Sequence, residues 1–546
     1  MNIGLEDNFA SHFEHIADLV PRRVAIAAGE RELTWAQFDE QADRLAGYLA
    51  ARGIRAGDRV GVDARNSPEH LIALHALFKL MAAPVNVNYR YRAAEVRYLL
   101  EISGARAVIV DDDLAGVVAE AAAAVPGCDL LVRIDPAGGF GASVAVADRH
   151  PRRPRGDTEW RLFTGGTTGH PKAVLGSHTE RLRSVRSGGF ATLGLAGIDP
   201  VEALHQALDI DPHGPRGMVQ LPASPLMHGT GLYSALGALS VGAPVVLLTG
   251  RRVTGDALLA AIERHRVTDL VIVGDAFGLR LLDALDERAA AGRPLGIDSL
   301  RRVRSIGAAW TPGVKRRLLA HADLTLSDTV ASTEGGVFAR SETTRASLAT
   351  GIDDEAGTFE LAPGARLLDD DGHDVVPGSG TIGVLAAPVV PEAGYEGDEE
   401  QTASAFRDID GVRYTMPGDL ATLEADGRLR LLGRGSTVVN TGGEKVFTDE
   451  VELVLRTHPA VRDATVLGVP DPRWGNVVAA VVSLERGAAA DPDELAAFVG
   501  TRLAGYKKPR RIAVVPEVQR LNTGKADLGW ARRQFGAAAA PAPTAP

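Results

Sequence analysis

Residues 162–176 read LFTGGTTGHPKAVLG, glycines and threonines packed behind an apolar lead-in and followed by a lysine. No other stretch narrows the fold as much. Glycine lets backbone amides turn inward around an anion, and the hydroxyls of Thr164, Thr167 and Thr168 add donors beside Gly165, Gly166 and Gly169. Lys172 adds a compact positive charge suited to phosphate. The lead-in Trp160 to Phe163 reads as a strand, which sets the loop at the end of a sheet, where α/β folds bind ligands. The Gly-Lys-Ser/Thr ending of an ordinary P-loop is missing. A Gly/Thr-rich run also suits a mobile surface loop, so the decision passes to the rest of the chain.

At 546 residues the chain exceeds one ordinary core, so at least two domains are expected. Its early part alternates helix and strand. Thr34 to Gln37 has capping-box spacing, after which Phe38, Ala42, Leu45 and Leu49 share a helical face that Gly53 ends. Ser67-Pro68 opens a second helix as N-cap and first residue. Strands are expected at 59–62, 84–88, 107–111, 244–248 and 269–273, with a helix at 94–100. This βαβ rhythm predicts an α/β fold: a large N-terminal domain with doubly wound, mostly parallel sheets. From about residue 358 short strands and hairpin signals, Asp369 to Gly372 and Asp426-Gly427, predict a short-strand β subdomain. The expected boundaries are 1–433 for the N-terminal domain, 434–535 for a small mobile α+β domain, and 536–546 for a low-complexity, disordered tail.

A net charge of −11 argues against a nucleic-acid partner or an anionic membrane surface. The basic run Arg152-Arg153-Pro154-Arg155 reads as a solvated linker. The single cysteine, Cys128, excludes an internal disulfide and a thiolate metal cluster. His12 and His15 lack the neighbours a metal site needs. Neither a signal peptide nor an apolar run of membrane-spanning length is evident, so the expected location is the cytoplasm.

Further segments follow in order: Pro225 to Gly229 (PLMHG), Ser305 to Pro312 (SIGAAWTP), Asp328 to Gly336 (DTVASTEGG), Tyr414 to Leu420 (YTMPGDL), Gly433 to Val446 (GRGSTVVNTGGEKV) and Asn522 to Lys525 (NTGK). With the loop TGGTTGHPKA, this series resembles the adenylate-forming superfamily of acyl-CoA synthetases, peptide-synthetase adenylation domains and luciferases. It is most similar to the actinobacterial fatty-acid and steroid-side-chain CoA ligases. The resemblance covers roughly residues 10 to 535.

It implies a two-step ligase that joins a carboxylic acid to AMP, releases pyrophosphate, and passes the acyl group to CoA. ATP and Mg²⁺ are the implied cofactors and CoA the co-substrate; a homodimer is compatible with it. Thr164, Gly165, Gly166, Thr167, Thr168 and Lys172 would cradle the departing phosphates, with Thr168 also counted as catalytic. Glu334, after Thr333, would hold Mg²⁺, while Gly307, Ala308, Ala309 and Asp328 would line the adenine. Asp419 would bind the ribose hydroxyls, supported by Arg434. Lys525 would bridge carboxylate and α-phosphate. His228 would gate the acyl side, although a lone histidine is also a common structural hydrogen bonder. The turn Gly442, Gly443 and Glu444 would replace Lys525 after rotation about Gly435-Ser436 and shape a CoA tunnel.

Two departures from the family pattern stand out. Ala173 replaces the last glycine of the loop, and VASTE replaces YGxTE, which puts Val330 and Ala331 in the acyl pocket. Each change adds a methyl beside the reacting centre or removes a ring from it. This leaves a second reading open, a diazotase of secondary metabolism that activates nitrite to diazotise an aminoaryl acid. A third is a silent binding homologue, against which the retention of Lys172, Glu334, Asp419, Arg434 and Lys525 speaks.

Overall fold

The computed structural model describes residues 7–165, 171–308, 310–349, 358–434, 438–441, 444–471, 475–521 and 524–536. The chain divides into two compact units. The first comprises 1–272, 283–303 and 390–402, the second 273–282, 304–389 and 403–546.

Local signals build the first unit as expected. Thr34 caps the helix Trp35–Ala51 with a full capping box to Gln37. Ser67 caps Pro68–Leu80, its hydroxyl accepting from the His70 amide. A four-stranded sheet is ordered Ala83–Asn86, Arg59–Asp63, Ala107–Asp111, Leu130–Ile134, every pair parallel. A second sheet sets Asp269–Ile272, Gln220–Pro222, Val245–Val246 and Val24–Ala28 in parallel, with Arg31–Thr34 antiparallel at its edge. A third, of three strands, is antiparallel: Gly394–Tyr395, Pro171–Ser177 and Glu159–Gly165. The Gly/Thr loop therefore joins two antiparallel strands and does not lead from a parallel strand into a helix. The reason is legible afterwards: residues 171–177 continue as a strand, with helix beginning only at His178.

The basic run is solvated only in part: Arg152, Arg153 and Pro154 are exposed. Arg155 is buried and forks onto both carboxylate oxygens of Glu14, at 2.7 and 2.9 Å. Arg152 bridges Asp18 and Asp39. These arginines cover a core where Lys79, wholly buried, lies 2.7 Å from each of Glu14, Asp39 and Asp43. The pairing offsets the cost of removing these charges from water. His12, also buried, donates through Nε2 to the Ser240 carbonyl at 2.7 Å, and burial pushes its pKa down to about 3.

The second unit holds an antiparallel sheet in which Thr325–Ala331, Val337–Thr343, Thr358–Leu361, Leu429–Arg434, Asp419–Leu423 and Gly383–Pro388 are neighbours in that order. Its five-stranded sheet is built on the long hairpin of Val461–Asp471 and Gly475–Leu484, with Arg511–Val515 parallel to the latter. The helix Thr448–Arg456 packs Val451 and Leu455 onto it, beside Val466 and Val482. Among the described residues no helix is long and apolar enough to cross a membrane.

Candidate active site

In the first unit, Thr164 and Lys172 are register partners across the hairpin, and Gly165 faces Pro171 one step further on. Gly166, Thr167 and Thr168, with Gly169 and His170, lie outside the described residues. Strand alternation separates Lys172 from its neighbour. The Lys172 ammonium lies 2.7 Å from an oxygen of Asp398. The Ala173 side chain is buried with Phe163, Val85, Val87 and Val108. The extra methyl of Ala173 therefore packs into a core.

Two asparagines that sequence reading missed organise the loop's surroundings. Asn86 accepts from the Phe163 amide at 2.7 Å and donates to the carbonyls of Phe163 and Met227, both at 2.9 Å. It ties the strand before the glycine loop to the segment just before His228. Asn66 holds the same segment from another loop, accepting from Leu226 N–H at 2.8 Å and donating to the Ser224 carbonyl at 3.2 Å. The available signal was a polar residue ending the otherwise apolar strand Ala83–Asn86. His228, half-buried, is the N-cap of the helix Gly229–Leu239.

The acidic segment after Tyr395 belongs to the same surroundings. Its Glu396 pairs with buried Arg161, which also reaches Glu159 at 2.7 Å. The Glu396 amide donates to the Ala173 carbonyl at 3.0 Å. Asp398 spends its second oxygen on the Gln401 amide at 3.0 Å, as a helix cap. Contacts to Lys172 and to that amide hold the Asp398 carboxyl below its ordinary pKa.

In the second unit, the strand ending at Ile306 runs into Gly307, whose φ of +96° suits glycine, and then Ala308. Ala309 lies outside the described residues. Asp328 is buried on Thr325–Ala331, opposite Ser341, with Lys315 3.6 Å away. Burial lifts its pKa to about 6, against the opposing pull of Lys315. Val330 and Ala331 follow on the same strand, separated by a register shift, and Val330 packs against the cluster around Phe338 and Leu385. Thr333 and Glu334 occupy the half-buried turn to the next strand, closed by the Gly335 amide donating to the Ser332 carbonyl at 3.3 Å.

Asp419 and Arg434 are register partners across an antiparallel pair, which brings together residues 15 apart in sequence. Glu444 is exposed and pairs with Thr441; Gly442 and Gly443 between them lie outside the described residues. Lys525 is exposed on a tight turn where the Leu521 amide donates to the Lys525 carbonyl at 2.8 Å, and the Gly524 amide to the Leu521 carbonyl at 2.8 Å.

Two family descriptions match most of the chain. The AMP-binding enzyme family matches residues 13–387, and the AMP-binding enzyme C-terminal domain matches 450–525. A 3-oxocholest-4-en-26-oate–CoA ligase of Rhodococcus rhodochrous is 36% identical, over 97% of this chain and 96% of its own. A medium/long-chain-fatty-acid–CoA/3-oxocholest-4-en-26-oate–CoA ligase of Mycobacterium tuberculosis is 37% identical, over 96% of each. Among solved structures, an anthranilate CoA ligase, AuaEII, bound to anthranoyl-AMP superposes with a TM-score of 0.80 at 21% identity, covering 97% of this chain and 98% of that one.

Proposed function

The chain belongs to the AMP-binding enzyme family and is an AMP-forming ligase of the acyl-CoA synthetase kind; from that premise we propose that it activates a long-chain fatty or steroid side-chain acid and transfers it to CoA. The observation that carries the reading is the 36% identity to a steroid-acid CoA ligase, maintained over 97% of this chain.

In the proposed first step a carboxylate oxygen attacks the α-phosphorus of ATP, the bond to the β-phosphate breaks, and pyrophosphate leaves. Thr164, Thr167, Thr168 and Lys172 take up the charge of the leaving group. Lys525 stabilises the charge shared by carboxylate and α-phosphate. Asp419, with Arg434, accepts from the ribose hydroxyls, and Gly307, Ala308 and Asp328 face the base. The half-buried carboxylate of Glu334 has the hard oxygen donors that Mg²⁺ prefers; bound there, the ion would neutralise phosphate charge. In the second step the CoA sulfur attacks the acyl carbon, the bond to AMP breaks, and the thiol proton is lost to solvent. The domain boundary at 433/434, rotation about Gly435-Ser436, and the turn Gly442 to Glu444 as the thioester-forming face belong to the same proposal, as does a cytoplasmic location.

Being CoA ligases, the named relatives favour this reading over nitrite activation. The test is pyrophosphate release over dodecanoate, palmitate, a steroid 26-oic acid, benzoate and ferulate, with and without CoA, and nitrite with an aminobenzoate as the opposing arm. A thioester identified by mass spectrometry is expected with a fatty or steroid acid. AMP formation that needs nitrite and ignores CoA would overturn it.

A further inference from the structure

The turn carrying Lys525 is anchored by a line of buried charges. Arg520, four residues before Gly524, donates to the Gly524 carbonyl at 3.2 Å and forks onto Asp463, both contacts at 2.7 Å. Asp463 also faces Arg456, Nε at 3.3 Å. Arg456 is buried at the end of the helix Thr448–Arg456, where Glu452 lies 3.0 Å away and Asp275 3.6 Å away. Asp275 is 3% exposed and begins the helix Gly274–Ala290. Its other oxygen accepts from the Thr311 amide at 2.8 Å, four residues past Gly307. The Gly274 amide donates to Ser305 Oγ at 3.0 Å, two residues before Gly307.

A second contact runs beside the first. Gly524 has a φ of +78°, and a Cβ there would come within 2.8 Å of the Val273 carbonyl. The Lys525 turn thus rests on the backbone immediately before Asp275. Burial keeps the Glu452 carboxyl up at about 7 despite Arg456, whereas Arg456 and Arg520 hold Asp463 below its ordinary value. Arg456 is thereby the central cation of an arrangement with more carboxylates than cations. Nothing in the proposed chemistry uses it.

We propose that Asp275, Arg456 and Asp463 are positioning residues that tie the Lys525 turn to the Thr311 backbone and hold the lysine in its adenylate-forming placement. The inference rests on Lys525 being the lysine of the first step. Thioester formation, in that reading, needs the small domain turned away, so the Asp275–Arg456 contact must open between the half-reactions. Its loss should therefore harm only the first of them.

The experiment uses the full chain with Asp275→Asn, Arg456→Met, Arg456→Lys, Lys525→Ala and the Arg456→Met/Lys525→Ala pair. Asp275→Asn keeps an oxygen for the Thr311 amide and removes only the charge, so it covers the case in which Arg456→Met fails to fold. The first readout is pyrophosphate release with dodecanoate, or whichever acid of the panel is turned over fastest. The second is thioester formation from CoA and the synthetic adenylate of that acid, and the third is the melting temperature. We expect Asp275→Asn and Arg456→Met to slow the first half-reaction at least tenfold and to leave the second within twofold. Arg456→Lys should recover part of the first, and the double variant should be no slower than Lys525→Ala, the signature of residues acting through one group. Normal pyrophosphate release in both single variants would overturn the inference, as would a parallel fall of both half-reactions with the melting temperature. Undiminished pyrophosphate release in Lys525→Ala would instead remove the assignment of Lys525 on which the inference rests.

Discussion

Lys172 and Asp398, 226 residues apart, meet at 2.7 Å beside the glycine loop. The acid is pinned from its other side by the amide of Gln401, so it presents a fixed negative charge to the lysine proposed to meet the triphosphate. ATP brings further negative charge to the same ammonium and competes with Asp398 for it. Asp398→Asn keeps the helix cap and deletes the competitor. The KM for ATP should fall about two- to fivefold, the range of a partly exposed ion pair, with a smaller effect at high salt. Steady-state kinetics at low and high ionic strength check this; a raised KM would mean that the acid instead holds Lys172 ready for phosphate.

Asn86 satisfies three backbone groups across two segments. Asn86→Ala would leave the Phe163 amide and the Phe163 and Met227 carbonyls without their present partner. The expected loss is about 1–3 kcal/mol of stability, the cost of leaving such groups unmade. The glycine loop and His228 would lose their mutual reference, so the KM values for ATP and acid should rise together. Thermal melting and a two-substrate kinetic grid read out both effects.

Lys79 is the buried cation among Glu14, Asp39 and Asp43. Lys79→Met fills the volume but leaves buried carboxylates short of a counter-charge. Destabilisation of about 3–5 kcal/mol is expected from breaking such a pair on one side. A shift in the urea unfolding midpoint measures it. A midpoint close to that of the unmodified chain would mean that Arg152, Arg155 and Arg149, which lies 2.6 Å from Asp43, suffice to balance the cluster.

Asp63 ends a strand of the parallel sheet, 2% exposed, with Oδ1 lacking a hydrogen-bond partner among the described residues. Burial first, then Asp111, raises its pKa from 3.8 to about 7, with Arg65 opposing. Between those values the folded chain binds the proton and the unfolded chain does not. The contribution of Asp63 to stability is therefore undiminished below pH 3.8, declines as pH rises through the window, and is lost above 7. Asp63→Asn removes that loss. Relative to the unmodified chain, the variant should gain stability from pH 4 to 7, by an amount on the order of 4 kcal/mol. Melting temperatures of both proteins across pH 4–8 decide it; a difference independent of pH would mean that the group does not titrate in this range.

The sequence by itself determined what depends on near neighbours and on pattern. The caps at Thr34 and Ser67, the strand Ala107–Asp111 and the hairpin across Asp426-Gly427 follow from side-chain spacing and turn chemistry acting over a few residues. The ordered motifs likewise disclosed the family, because each is a short run of residue types read along the chain without knowledge of the fold. Tertiary structure decided which groups meet across long separations. It buried Arg155 against Glu14, turned Ala173 into a core, set Asp398 on Lys172, and aligned Asp275, Arg456 and Asp463 behind Lys525. A charged residue in a sequence carries no mark of its partner. Its burial is decided by packing, when the low dielectric interior makes a distant opposite charge necessary.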